Sequence, residues 1–322
     1  KIFNELVEFI ISNSKGILMN ALTLSKFDVI YSFAELAYIK NYCRPKFYKK
    51  KKIELFESRH PVVENLIPIE DSFITNDLHL DSELNQIAVI TGPNMAGKST
   101  FLRQIALISI MAQIGSYVPA KKANLSIIDK VYTRVGANDN LAEGESTFLV
   151  EMNETANILN NATDSSLIIL DEIGRGTSTF DGLAIAWSIV EFLHKNKKFN
   201  PITLFATHYH ELVGLANQLS RAINLNIEVI EDGGELIFLR KVVPGGASQS
   251  YGVHVAKMAG LPSQVINRAN IILKKLVVDK KTNLKSKDID QLEFQFNSRI
   301  SNGTISELKH IDIDNMTPLE AL

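Results

Sequence analysis

The chain has 322 residues, 45% of them hydrophobic and 22% charged, with a formal net charge of −2. A chain of this size and balance affords a packed core without a staple, and its totals exclude a strongly basic nucleic-acid binder while leaving room for a local basic patch. One cysteine, Cys43, excludes a disulfide within these residues and any cysteine-clustered zinc or iron–sulfur site.

The first segment mixes charged with apolar residues, so no signal peptide is expected, and no apolar run reaches the length of a membrane span. Leu6, Phe9 and Ile10 recur at helical spacing, Lys15-Gly16 reads as a stop, and a second helical pattern runs from Ile17 to Tyr42. The chain thus opens inside a helix, as the end of a longer helical domain in a bigger protein. Arg44-Pro45 breaks the pattern, and Lys49 to Lys52 form a short basic run that reads as a solvated face. Ile53–Glu57 and Phe73–Leu80 are strand-like. From Gln86 buried strands alternate with helices: Ile87–Ile90, Leu167–Leu170 and Thr203–Ala206 are short apolar runs, each followed by small polar residues and a helical stretch. That alternation predicts a parallel sheet covered by helices. Ile223–Ile230 and Glu235–Val243 read as a late hairpin, and Ser250–Val278 as two helices about a Gly260-Leu261-Pro262 turn. Cys43 reads as a small buried apolar residue and Trp187 as packing.

Gly92-Pro93-Asn94-Met95-Ala96-Gly97-Lys98-Ser99 fits the P-loop pattern G-x-x-x-x-G-K-S, between a predicted strand and a predicted helix. In such a loop backbone N–H groups and a helix N-terminus face phosphate oxygens. Lys98 would reach the β- and γ-phosphates of ATP, and Ser99 would hold Mg²⁺. Ala96 requires a negative φ. Leu167-Ile168-Ile169-Leu170 ends in Asp171 and Glu172, at the sheet edge where ligands bind in α/β folds. Asp171 reads as the second Mg²⁺ residue and Glu172 as the group that polarises the attacking water. His208, closing a third short strand, could hydrogen-bond the γ-phosphate or the water.

Several longer stretches make the reading specific. TGPNMAGKSTFLRQIALISIMAQIGSYVPA from Thr91, TRVGANDNLAEGESTFLVEMNETANIL from Thr133, DEIGRGTSTFDGLAIAW from Asp171, ATHYHEL from Ala206 and GGASQSYGVHVAKMAGLP from Gly245 together resemble the ATPase domain of the MutS family of DNA mismatch repair proteins, with RHPVVE at Arg59 in support. They are spread over residues 59–262, about two thirds of the chain. The resemblance implies an α/β P-loop NTPase of ABC-ATPase type with a mixed or parallel central sheet. A helical lever segment (1–43) would precede the ATPase domain (44–248), followed by a helix-turn-helix dimerisation element (249–278) and a C-terminal tail (279–322).

The same resemblance implies a homodimer, or a higher oligomer in the full-length protein, with each ATP closed between two subunits. Gly144–Phe148 match the family's signature loop, so that Ser146 would contact the partner's γ-phosphate; on physics alone these residues read as a polar turn or helix cap. Phe73 matches an aromatic that packs on adenine, though a bare Phe reads as core. Pro93, Asn94, Met95 and Thr100 would line the nucleotide with Gly92, Ala96 and Gly97, and Asp181 reads as a partner-facing residue or a helix cap. Mismatched double-stranded DNA would be met through domains absent here, a MutL-type protein would be a partner, and the setting would be the bacterial cytoplasm. This chain is therefore expected to hydrolyse ATP without discriminating mismatched DNA. Gln291–Phe296 resembles a peptide that binds the replication sliding clamp, and Asp312–Leu322 the start of an oligomerisation element. A transporter ATPase would need an LSGGQ-type signature, which is missing, and a non-catalytic ATP sensor is disfavoured by the intact Lys98, Ser99, Asp171, Glu172 and His208.

Overall fold

The structure is a computed structural model that describes residues 1–68, 72–136, 146–196, 199–232, 235–247 and 251–283. The chain opens with helix α1 (Ile2–Lys40), followed by strands β1 (Lys46–Tyr48), β2 (Lys52–Ser58), β3 (Asn76–Asp81) and β4 (Ile87–Thr91). Helix α2 (Lys98–Gln113) leads to β5 (Lys122–Ser126) and β6 (Val131–Arg134). Then α3 (Thr147–Asn161), β7 (Leu167–Asp171), α4 (Thr179–Lys195), β8 (Ile202–Ala206) and α5 (Glu211–Gln218) alternate. The hairpin β9 (Ala222–Asp232) and β10 (Glu235–Pro244) precedes α6 (Gly252–Met258) and α7 (Ser263–Asn283). Contacts divide the chain into two compact units, residues 1–260 and 261–322. Helices α6 and α7 flank the expected turn, and α7 belongs to the second unit.

A mixed α/β architecture holds the first unit together. The six-stranded sheet has the order β10-β9-β4-β8-β7-β6. Its strands pair in parallel from β9 to β6, and β10 is antiparallel to β9. Strands β4, β7 and β8 are buried at every position, as expected of strands covered on both faces. Successive side chains point to opposite faces. Ala88, Ile90, Leu167 and Ile169 therefore join Phe101, Leu102 and Ile105 of α2 in one core. Ile87, Val89, Ile168, Leu170 and Phe205 face Ala186, Val190 and Leu193 of α4, with Leu212 and Leu215 of α5, in the other.

A second sheet, of order β1-β5-β2-β3, closes the α2 side through Ile53, Leu55, Leu80 and Leu125. The sequence reading contains neither β1, β5 nor β6. It also starts β3 too early: Phe73 to Thr75 lie outside the strand, which begins at Asn76. Helix α1 is continuous through Lys15-Gly16, against the expected stop. A mid-helix glycine costs only about 1 kcal/mol and, without a following proline, does not end a helix. The true end is Asn41, which takes a left-handed conformation (φ 52°) while its N–H donates to Ala37 O, so the helix stops before Tyr42 and Arg44-Pro45. Cys43 is half-buried rather than buried. No described helix is long and apolar enough to cross a membrane.

Candidate functional site

The parallel strands bring their carboxyl ends to one edge, and the loops after β4, β7 and β8 meet there. Between β4 and α2 the chain turns sharply at Gly92 (φ 138°), Met95 (φ 70°) and Gly97 (φ 108°). A side chain on Gly92 would also meet the backbone of Ile227 at 3.4 Å. Ala96 is fully buried and does not take a positive φ, as the sequence reading requires. Gly97 caps α2 without a side chain, and the first turn of the helix carries no acid. The first N–H groups of a helix have no intrahelical partner, so this turn suits an anion.

Lys98 is 5% exposed. Its ammonium donates to Gly92 O at 2.7 Å, Pro93 O at 3.1 Å and Asn94 Oδ1 at 3.4 Å. It lies 3.9 Å from Glu172 Oε1. Burial pulls its pKa below the ordinary lysine value, while the charges of Glu172 and Asp171 oppose that shift.

Asp171 ends β7 and is 6% exposed. Ser99 Oγ donates to its Oδ2 at 2.5 Å. The other oxygen, Oδ1, is buried without a hydrogen-bond partner. Burial pushes the Asp171 carboxyl above the usual range, against the Ser99 hydrogen bond and the Lys98 charge. An orphan carboxylate oxygen beside a hydroxyl is a donor set for a hard divalent cation, which magnesium completes with phosphate and water oxygens. Among the described residues no cluster of three or more His, Cys, Asp or Glu forms a metal site of its own.

Glu172 takes a left-handed backbone (φ 56°), unusual for a residue with a side chain. Its N–H donates to Ala206 O at 2.9 Å. Its carboxylate pairs with Arg175 Nη1 at 2.5 Å. His208 is exposed and borders a 290 Å³ cavity with Gly92, Pro93, Asn94 and Thr207. Partial desolvation lowers its pKa, and the Glu172 charge opposes the shift.

Two further cavities adjoin. A polar one of about 400 Å³ is lined by Asn94, Lys98, Ser99, Thr100, Glu172 and Arg175. An adjacent one of about 280 Å³ includes Phe73, Ile227, Arg240 and Val242. They share Met95, Gly97 and Thr100. The sequence-derived residues Gly92 to Thr100, Phe73, Asp171, Glu172 and His208 are thus gathered on one edge. Ser146 is not: it is the exposed N-cap residue of α3 and lines none of these cavities. Gly144 and Glu145 lie outside the described residues, as do Gln291–Phe296 and Asp312–Leu322. Asp181 sits in the first turn of α4 and is not its cap: the N-cap is Ser178, whose Oγ accepts from the Asp181 N–H and donates to its carboxylate at 2.7 Å. Trp187 packs beside the second core and donates to Glu191 at 3.0 Å. The sequence reading missed Arg175 and Arg240. Arg175 stood inside a quoted motif, three residues from Glu172; Arg240 had no sequence signal.

Comparison with known proteins then supplies a family. Residues 88–277 match the family model of MutS domain V. The DNA mismatch repair protein MutS of Parabacteroides distasonis is 46% identical over 333 residues, covering 100% of this chain and 38% of the relative. That of Christiangramia forsetii is 48% identical over 331 residues, covering 100% and 38%. That of Clostridium botulinum is 51% identical over 319 residues, covering 96% and 34%. The chain therefore spans between 34% and 38% of the length of these relatives.

Proposed function

The chain belongs to the MutS family, and on that premise we propose that it is the ATP-binding, ATP-hydrolysing and dimerising part of a DNA mismatch repair protein, an ABC-type P-loop ATPase. The observation that carries the reading is the convergence of Lys98, Ser99, Thr100 and Glu172 on one polar cavity that continues into the Phe73 pocket. Adenine would lie against Phe73 and Ile227, and the triphosphate would run past Thr100 to the loop. There the free N–H groups of the first turn of α2 and the Lys98 ammonium, released from its loop carbonyls, would take the β- and γ-phosphate oxygens. Ser99 and Asp171 would hold Mg²⁺, which screens the phosphate charge.

Glu172 would accept a proton from a water as the water oxygen attacks the γ-phosphorus. The bond from that phosphorus to the β–γ bridging oxygen breaks, ADP leaves with the electron pair, and the proton passes to solvent. His208 would hydrogen-bond the γ-phosphate or the water. Ser146 of a partner subunit would complete the site, so that ATP closes a homodimer and hydrolysis releases it. In the whole protein the switch would act on mispaired DNA and a MutL-type partner in the bacterial cytoplasm, with the Gln291–Phe296 segment offered to a sliding clamp.

The test is phosphate release with Mg²⁺-ATP over a range of protein concentrations, with Glu172→Gln as control. Specific activity should rise with concentration and vanish in the control. ATP binding without phosphate release at any concentration would overturn the hydrolytic reading in favour of a sensor.

A further inference from the structure

The loop after Glu172 is gripped by residues that nothing in the motif assigns. Gly174, two residues on, takes φ 87°. Its N–H donates to Glu151 Oε1 at 2.5 Å, and its carbonyl accepts from Tyr209 Oη at 2.9 Å. Both sides of one residue are therefore held by side chains from elsewhere: Glu151 from α3, and Tyr209 from the loop that carries His208. Gly174 also lies so close to Gly182 of α4 that a Cβ on Gly182 would stand 2.1 Å from Gly174 O.

Glu151 is 5% exposed. Its second oxygen lies 3.6 Å from Arg134 Nη2. A buried carboxylate is costly, and a lone N–H needs only a neutral acceptor. A charged one makes a shorter, stronger and more directional bond. Glu172 and Gly174 both hold left-handed backbones, an arrangement that persists only where the surroundings over-determine it. Helix α3 touches the loop a second time, because a Cβ on Gly176 would meet Phe148 Cβ at 3.1 Å. The N-cap of this helix is Ser146.

We infer that Glu151, together with Tyr209, is a positioning residue of the hydrolytic site: it fixes the backbone at Gly174, and through it the orientation of Glu172, from the helix that Ser146 begins. The inference rests on the hydrolytic reading above. Under that reading α3 meets the partner's nucleotide at its first turn and the chain's own catalytic loop one turn later. Closure about one nucleotide then adjusts Glu172 at the other.

The experiment uses the full chain as wild type, Glu151→Gln, Tyr209→Phe and Glu172→Gln. It measures kcat for phosphate release, the Kd of a fluorescent ATP analogue, and Tm. Glu151→Gln keeps shape and an acceptor but removes the charge; Tyr209→Phe keeps the ring and removes one hydrogen bond. Each should lower kcat about tenfold, Glu151→Gln by weakening and Tyr209→Phe by removing a hydrogen bond that holds Gly174, with Kd within about twofold of wild type and the chain still folded at the assay temperature. Wild-type kcat in Glu151→Gln overturns the inference, as does a fall in kcat matched by weaker binding, which would mark a merely structural residue. A wild-type chain that turns over and is silenced by Glu172→Gln isolates those outcomes from the hydrolytic reading. A wild-type chain that releases no phosphate removes the reading and the inference together.

Discussion

Two loops leave the same sheet edge side by side in function but not in construction. The loop after β4 builds itself: Gly92 and Gly97 supply the left-handed turns, and the lysine that follows them folds back on the carbonyls of Gly92 and Pro93. Within the loop's own hydrogen bonding, nothing further off than six residues is needed. The loop after β7 is assembled from outside, by Glu151 twenty-three residues before Gly174, Tyr209 thirty-five after it, and Gly182 pressed against it. Local geometry can be copied as a short motif, whereas imported geometry depends on the packing of three other elements.

Substitutions can break this comparison, beginning with the strongest. Lys98→Ala should abolish nucleotide binding in a titration, while Glu172→Gln should leave binding intact and cut turnover about 10²–10⁴-fold, the usual share of a general base. If both changes weakened binding equally, the two loops would not divide the labour. Next come paired glycines. Gly182→Ala should cost about 3 kcal/mol or more in urea unfolding, since its methyl group would overlap Gly174 O and Tyr209 Oη. Gly97→Ala meets no atom within 4 Å and should cost only the strain of its φ, about 1–2 kcal/mol. Equal midpoints for the two variants would erase the distinction between self-built and buttressed. The smallest effect is at the helix starts. Ser178 caps α4 through the N–H of Asp181, whereas α2 begins at a bare glycine. Ser178→Ala should therefore lower stability by about 1 kcal/mol with ATP affinity unchanged, measurable by thermal melting.

The same contrast explains what could be read from the chain alone. The short apolar runs at Ile87, Leu167 and Thr203 declare buried strands, and the glycines with Lys98 declare the first loop. Asp171 and Glu172 were legible because a strand carries them to the edge. Glu151 was not, since its partner is a backbone N–H far along the chain and its own neighbours in α3 look like any polar helix face. The short strand Lys46–Tyr48 is exposed throughout, so no burial pattern marks it. Gly16 resembles a stop but costs the helix little, whereas the actual terminus is an asparagine whose left-handed turn has no periodic signature.

Helix α1 is 39 residues long with no buried residue. Its last carbonyl-bearing turn is pinned: Arg59 donates from Nη2 to Lys40 O at 2.8 Å and from Nε to Glu64 at 2.6 Å, and Tyr42 Oη donates to the same carboxylate at 2.6 Å. Val63, beside Glu64, lines the Phe73 pocket. Mechanically this is a lever arm about 58 Å long, held near Lys40 next to a cavity wall. By simple trigonometry on that length, each degree of rotation at the clamp moves the helix at Ile2 through about 1 Å, so a displacement too small to notice at the pocket becomes a side-chain-sized movement there.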